Sequence, residues 1–419
     1  MRLRQILSKK VHYAWVICAT CALMLFVAMG LCSNVFSIYQ PYIIRTNGFT
    51  NTQGSLIITM NRLFAIAGMF TVDKLCLRLG LRKTVGIGMC LEIISRLIFA
   101  AASTFSAYCV ASALSGLTYA WAGSVPITIL ISHWFHSHRG IAMGIGTTGS
   151  GIATVVMPPF VTAVIERYGV KTAFLGEAIL TVILACIVLL FVQDRPEAMG
   201  IGPYTSHSSE LAQKSCPVQQ EKSTNRCRLL YIAVLFLAGP AGPGFSHLTV
   251  HYTTLGYSSG HIASLMTYLG IALIVGKILC GEIADLFGGW KSNFIIGSAL
   301  IVAQVFCCLA GVNTKIFPFV SMTLYGVGLP IATVSLARWA QDLTEEHMYE
   351  QAVKWSSLSY AIGSFLFSPL PGLFADYTGN YIATYISFTV LTIISLAIIQ
   401  YAYQKTDPLY SKLSLWNPK

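Results

Sequence analysis

The stretch SLMTYLGIALIVGKILCGEIAD, Ser264–Asp285, is long and apolar, interrupted by one lysine and closed by an acidic end. A helix needs about 20 apolar residues to cross a hydrocarbon core of about 30 Å. A charge at that depth costs roughly 2.5–3.5 kcal/mol on insertion scales. Lys277 therefore calls for a partner, a water-filled cavity or a charged ligand, and the remainder of the chain must decide among them.

Eleven further stretches of this kind accompany it. The twelve lie near 13–37, 52–72, 84–104, 106–131, 140–165, 170–192, 229–252, 260–284, 292–312, 315–338, 352–374 and 380–402. The composition agrees: 55% of the 419 residues are hydrophobic and 10% charged, whereas a soluble domain carries about a quarter charged residues. The basic N-terminal segment MRLRQILSKK resembles the start of a signal peptide. The apolar run after it exceeds an h-region of about 7–15 residues, so a first transmembrane helix is expected. The expected fold class is an all-α polytopic membrane protein of twelve transmembrane helices in two six-helix bundles.

One long polar connection, 194–228, separates six helices from six. The expected organisation is therefore an N-terminal bundle over 1–193, a cytoplasmic linker over 194–228, a C-terminal bundle over 229–404 and a cytoplasmic tail over 405–419. Lys and Arg fix the orientation. With the N-terminus inside, twenty fall on the cytoplasmic side, among them Arg2, Lys10, Arg78, Arg139, Lys291 and Lys419. Four fall outside: Arg45, Arg167, Lys171 and Lys315. Topology thus accounts for the net charge of +11, and a nucleic-acid partner is not needed. The halves repeat at an offset of 212 residues: Asp73 in GMFTVDKLCLRLGLRK (Gly68–Lys83) corresponds to Asp285, and the prolines Pro158 and Pro159 correspond to Pro369 and Pro371. A parallel repeat of six-helix units places a substrate site near the bilayer midplane at the repeat interface.

Little suggests catalysis. The twelve cysteines sit mostly in apolar segments, with Cys216 and Cys227 in a polar one, so free thiols are expected. His133, His136 and His138 lack closed tetrahedral spacing and belong to a basic loop. No cofactor, no metal and no enzymatic activity are expected.

Twelve helices in two halves, with Gly68, Asp73, Gly80, Arg82 and Lys83 after the second and GEIADLFGGWK after the eighth, resemble the major facilitator superfamily. HWFHSHRGIAMGIGTTGSGIATVVMPP, 133–159, with its Trp-Phe, Arg-Gly and Gly-rich helix ending in proline, resembles the monocarboxylate porters and the oxalate/formate antiporters. The resemblance implies alternating access, with Asp73, Arg82 and Asp285 as gating or latch residues. It also puts Lys277 at a helix-8 basic position that meets the substrate carboxylate. Two departures stand out. Leu273 occupies the place of the porters' helix-8 Asp, so their proton relay does not transfer, and Ser356 or Ser357 occupies that of the exchangers' helix-11 lysine.

Arg62 is the corresponding cation of the first half. It lies 11 residues before Asp73 as Lys277 lies 8 before Asp285, about one turn apart in the superposed repeats, and neither has an acid within four residues. Asn34, Tyr39, Tyr119, Trp121, Tyr268, Tyr325 and Tyr360 are candidate polar companions among aromatic walls. Glu92 and Arg96 are spaced to pair on one helix, while Glu177 is placed to snorkel or to pair with Lys171. His247 and His251, i, i+4 near the outer end of helix 7, are expected as interfacial polar residues, with proton coupling through them as the alternative. The glycines from Gly144 to Gly151 permit close packing, and Pro240, Pro243 and Pro330 are expected to kink their helices.

The function expected is secondary active transport of a small organic anion, a monocarboxylate foremost, by symport or exchange. The partners expected are the lipid bilayer and protons or a counter-anion, with a monomer in the plasma membrane. A neutral or cationic solute or drug, and a non-transporting sensor, remain alternatives at this stage.

Overall fold

The computed structural model describes residues 12–136, 138–205, 223–311, 316–345 and 348–404. The tail 405–419, most of the linker, Arg2, Lys10, Cys216 and Lys315 lie outside the described residues. Among the described residues eleven helical stretches are long and apolar enough to cross a membrane. The longest, Ser259–Leu309, is two helices, because the backbone turns at Gly288 (φ 82°, ψ 160°).

Twelve helices result. They are α1 Tyr13–Asn47, α2 Asn51–Leu79, α3 Leu81–Ala101, α4 Phe105–Trp134, α5 Arg139–Tyr168 and α6 Val170–Phe191. α7 is built from Ser223–Gly239, Pro240–Gly244 and Leu248–Thr254. α8 (259–287) and α9 (289–309) flank Gly288, and α10 Ile316–Leu343, α11 Gln351–Thr378 and α12 Ile382–Gln404 complete the set.

Several helices run further than the hydropathy suggests. α2 continues to Leu79, so Asp73 lies inside a helix and the connection to α3 shrinks to Gly80 (φ 83°, ψ 160°). Gly288 repeats that geometry between α8 and α9, in a region of backbone space open essentially to glycine alone. The repeat is thus carved into the backbone as well as the side chains. α1 passes through a π-helical stretch, Phe26–Val35, and continues over Pro41 to Asn47 before Gly48 ends it in a left-handed cap. Pro240–Gly244 is likewise π-helical and Leu329–Ala332 is 3₁₀, the form taken by the proline breaks expected in α7 and α10.

The chain divides into two compact units, Met1–Ser215 with Ser258–Gly270, and Cys216–Tyr257 with Ile271–Lys419. In unit 1, α1 packs on α5, α2 on α4 and α3 on α6. The α1–α5 contact is backbone to backbone: a Cβ on Gly149 would lie 1.8 Å from the Ala22 carbonyl oxygen. Small residues give such contacts because lipid tails leave van der Waals packing as the main attraction between helices. In unit 2, α7 packs on α10, α11 and α12.

Candidate functional site

Arg62 is half-buried on α2, and its guanidinium donates to the Ser33 hydroxyl at 2.7 Å. Ser33 belongs to the π-helical stretch of α1. The backbone of α4 is drawn against α2 here, with Gly116 against the Asn61 carbonyl and the Ser112 hydroxyl donating to Ile57 O at 2.6 Å. One turn on, α4 brings the Tyr119 ring within electrostatic reach of Arg62. Unit 1 therefore assembles one cation, one hydroxyl and one phenol at membrane depth. Asn34 does other work. Its amide donates to Thr154 Oγ1 at 2.9 Å and to Ser150 O at 3.4 Å, so both of its N–H groups tie α1 to α5.

Lys277 is half-buried on α8 in unit 2. The residue before it fixes its position, since a Cβ on Gly276 would fall 2.8 Å from Val327 Cα and pins α8 against α10. Elsewhere in the unit α11 presents a polar stripe of one residue per turn: Ser356, Tyr360, Ser364 and Ser368. The hydroxyls of Ser356, Ser364 and Ser368 are buried without a hydrogen-bond partner. Ser364 and the Tyr360 phenol face Gly242 in the π-turn of α7, where a Cβ would lie 2.6 Å and 3.6 Å from their oxygens. Proline removes N–H groups from that turn, and two tyrosines cover its carbonyls. Tyr325 donates to Pro240 O at 2.5 Å and Tyr385 to Gly244 O at 3.0 Å. Tyr325 is thereby committed to the fold of α7. Tyr268 is 47% exposed on the part of α8 that belongs to unit 1.

Two of the expected latch residues, Asp285 and Arg82, fall into different networks. Asp285 pairs with Arg338 at 3.0 Å, and Arg338 also pairs with Asp342 at 3.0 Å. The Tyr403 hydroxyl donates to Asp342 at 2.9 Å. In unit 1, Arg82 donates to Leu189 O at 2.7 Å, and Asp194 accepts from the backbone N–H groups of Leu81 and Arg82 at 3.0 and 2.8 Å. An acid there suits the positive end of α3. Asp73 is exposed on the last turns of α2. Arg338, Asp342 and Asp194 escaped the sequence reasoning. Arg338 and Asp342 sit at helical spacing and could have been found by it, but Asp194 could not, because only the fold brings it beside α3.

With this geometry in place, comparison with known proteins decides the family. Residues 21–368 match the model of the Major Facilitator Superfamily. The chain belongs to that superfamily. Among curated relatives, this facilitator is 24% identical to monocarboxylate transporter 12 of Homo sapiens, over 96% of its own length and 85% of the relative's. It is also 24% identical to the glycerol-3-phosphate transporter of Bacillus subtilis (strain 168), over 65% and 64%. Among solved structures it resembles the nucleoside transporter NupG (TM-score 0.73, 12% identity, 92% of this chain and 100% of the other). It likewise resembles a bacterial homologue of the human lysosomal transporter Spinster (TM-score 0.69, 13% identity, 97% and 99%). These structures establish the twelve-helix fold. The protein is a multi-pass membrane transporter.

Two expectations for the facilitator's buried polar groups are corrected. Glu177 neither snorkels nor pairs with Lys171; it is 2% exposed and meets Arg96 of α3 at 3.2 Å, because its face of α6 packs on α3. His247 and His251 are both fully buried. His247 Nδ1 lies 2.8 Å from Pro243 O, and His251 Nε2 lies 2.9 Å from Cys307 O. They are placed to bind backbone carbonyls, and the Pro243 carbonyl also accepts the His247 backbone N–H at 3.1 Å. The Glu92–Arg96 pair forms as its spacing predicts, with Arg96 Nε 2.6 Å from Glu92 Oε1. His133 Nδ1 lies 2.9 Å from the Asp194 carbonyl.

Proposed function

We propose that this facilitator moves a small organic anion, a monocarboxylate, by alternating access, with Arg62 and Lys277 as the cations that receive it. The observation carrying the reading is that each unit holds a half-buried basic side chain at membrane depth on corresponding helices, α2 and α8. Placing a cation there is costly, and an entering carboxylate offsets that cost. Tyr119 and Tyr268 of unit 1 and Ser356 and Tyr360 of unit 2 are the hydroxyl-bearing residues we assign to substrate contact, since a small-molecule site needs a few polar groups in an apolar lining. Asn34 and Tyr325 support the site through the helices they tie. Two relatives are named for anionic solutes, a monocarboxylate and glycerol 3-phosphate. Lys277 acts as a point charge, less selective for carboxylate geometry than a bidentate arginine.

The remaining features of the reading are a monomer in the plasma membrane with both termini cytoplasmic, and Asp73, Arg82 and Asp285 as gating residues. A proton or a counter-anion is the coupling ion. The test is uptake of radiolabelled monocarboxylates into proteoliposomes. Lys277→Ala is expected to reduce uptake to background while expression and monodispersity hold, and Lys277→Arg to retain part of it. Unchanged uptake by Lys277→Ala overturns the assignment. Loss of uptake in Glu92→Gln alone, with both cations dispensable, favours a cationic solute instead.

A further inference from the structure

The cluster of Glu92, Arg96 and Glu177 holds two carboxyls against one guanidinium, deep inside unit 1. Arg96 NH2 lies 2.5 Å and Nε 2.6 Å from Glu92 Oε1, while NH1 lies 3.2 Å from Glu177 Oε2. Arg96 and Glu92 are 0% exposed and Glu177 2%. The walls are aromatic. Phe174 stacks on Phe99 and Tyr39 with centroids 5.0 and 4.0 Å apart, and Arg96 Cζ lies 5.8 and 5.9 Å from the Phe99 and Phe174 centroids. α1 contributes the Cys32 thiol and the Tyr39 phenol, and α4 the Ser115 hydroxyl. Among the described residues, these and the three charged side chains are the polar and titratable groups that act on one another here. A second cation is not among them.

The charge balance is decisive. With both carboxyls ionised the cluster carries a net −1 in an apolar, sealed environment; with one proton bound it is neutral. Two carboxylates sharing one buried site oppose joint ionisation, and desolvating an uncompensated charge is costly. Glu92 Oε2 and Glu177 Oε1 are buried and accept no hydrogen bond by distance and angle, and the neighbours acting on the two carboxyls besides Arg96 are the neutral Cys32 thiol and Tyr39 phenol, so a carboxyl oxygen is left to carry the proton. We infer that Glu92, Arg96 and Glu177 form a proton-binding site of this facilitator, in which one proton from water joins a carboxylate and is released again as the helices around it rearrange.

The fold does not need charge for this helix crossing. Gln304 stands 212 residues after Glu92, the offset that relates Asp73 to Asp285. In unit 2 it joins α9 to α12 through Thr392 at 3.1 Å, with both side chains fully buried and neutral. An amide and a hydroxyl suffice there, so the two acids of unit 1 have a role beyond holding helices together. The site uses none of the groups proposed to receive the substrate.

The test needs no substrate, so its outcome is independent of the organic-anion reading. The protein is purified, reconstituted in lipid, and examined by infrared difference spectroscopy for the carboxylic-acid C=O stretch while pH is varied from mildly acidic to mildly alkaline. Wild type is expected to show one buried protonated carboxyl that is lost as pH rises. Glu177→Gln and Glu92→Gln should each abolish the band, because either leaves one carboxylate matched to Arg96 and nothing to protonate. Helical circular dichroism and size exclusion check that the variants fold, and the wild-type titration stands even where they do not. A wild-type protein without the band, a band unmoved by pH, or a band that survives in either folded variant overturns the inference.

Discussion

The two units solve one packing problem with different chemistry. α3 and α6 of unit 1 are joined at depth by Glu92, Arg96 and Glu177, whereas α9 and α12 of unit 2 are joined by Gln304 and Thr392. All five side chains are buried to within 2%. The neutral crossing shows what architecture requires, namely one donor and one acceptor meeting out of reach of water. The ionic crossing exceeds that requirement and carries one acid more than its cation can balance. A repeat that has drifted apart in sequence thus supplies its own control, separating what holds helices from what answers to protons.

Substitutions can break the comparison, and Arg96→Met should do the most damage. It strands two buried carboxyls, and removing one partner of a buried ion pair costs about 3–5 kcal/mol. The expected result is a large fall in the thermal unfolding midpoint in detergent or lipid. The triple variant Arg96→Met, Glu92→Gln, Glu177→Gln converts the crossing to a neutral one, and most of that loss should return. A triple variant as unstable as the single one would mean that the ionic crossing is architectural after all.

Gln304→Glu asks the reverse question and ranks next. Placed in unit 2 without a cation, the new carboxyl is expected to stay protonated, adding an infrared carboxylic-acid band at a cost of about 1–3 kcal/mol. Gln304→Leu leaves the Thr392 hydroxyl without the amide, and about 1 kcal/mol is expected from the lost hydrogen bond. Arg338→Ala should cost least. Its pairs with Asp285 and Asp342 involve side chains 24–75% exposed, and exposed pairs contribute about 0–1 kcal/mol. Its effect is therefore expected in transport rate rather than in the unfolding midpoint.

Much of the fold is visible in the order of residues because bilayer physics leaves few choices. Twelve apolar runs dictate twelve helices, since every backbone polar group must be satisfied within the span. The i, i+4 spacing of Glu92 and Arg96 already implies their pair. The helix ends were less legible: α2 runs on to Leu79 through a stretch whose charges suggest a loop, because a single glycine, Gly80, can make the whole turn. At the candidate site the cations Arg62 and Lys277 stand out on hydropathy alone. Their surroundings do not, for Ser33 looks like any small residue of a membrane helix until the fold sets it against Arg62.

Sequence alone determined the membrane class, the twelve spans, the internal repeat and the positions of the intramembrane charges, each a local property of composition or spacing along the chain. Tertiary structure alone decided which charges meet. Glu177 lies 81 residues from Arg96, close to an outer helix end and within reach of Lys171 by sequence. Only the packing of α6 on α3 turns it inward. Spacing along one helix can show that a pair is possible, but the net charge of a buried cluster depends on every helix that contributes to it, and so the odd acid could be counted only in the folded molecule.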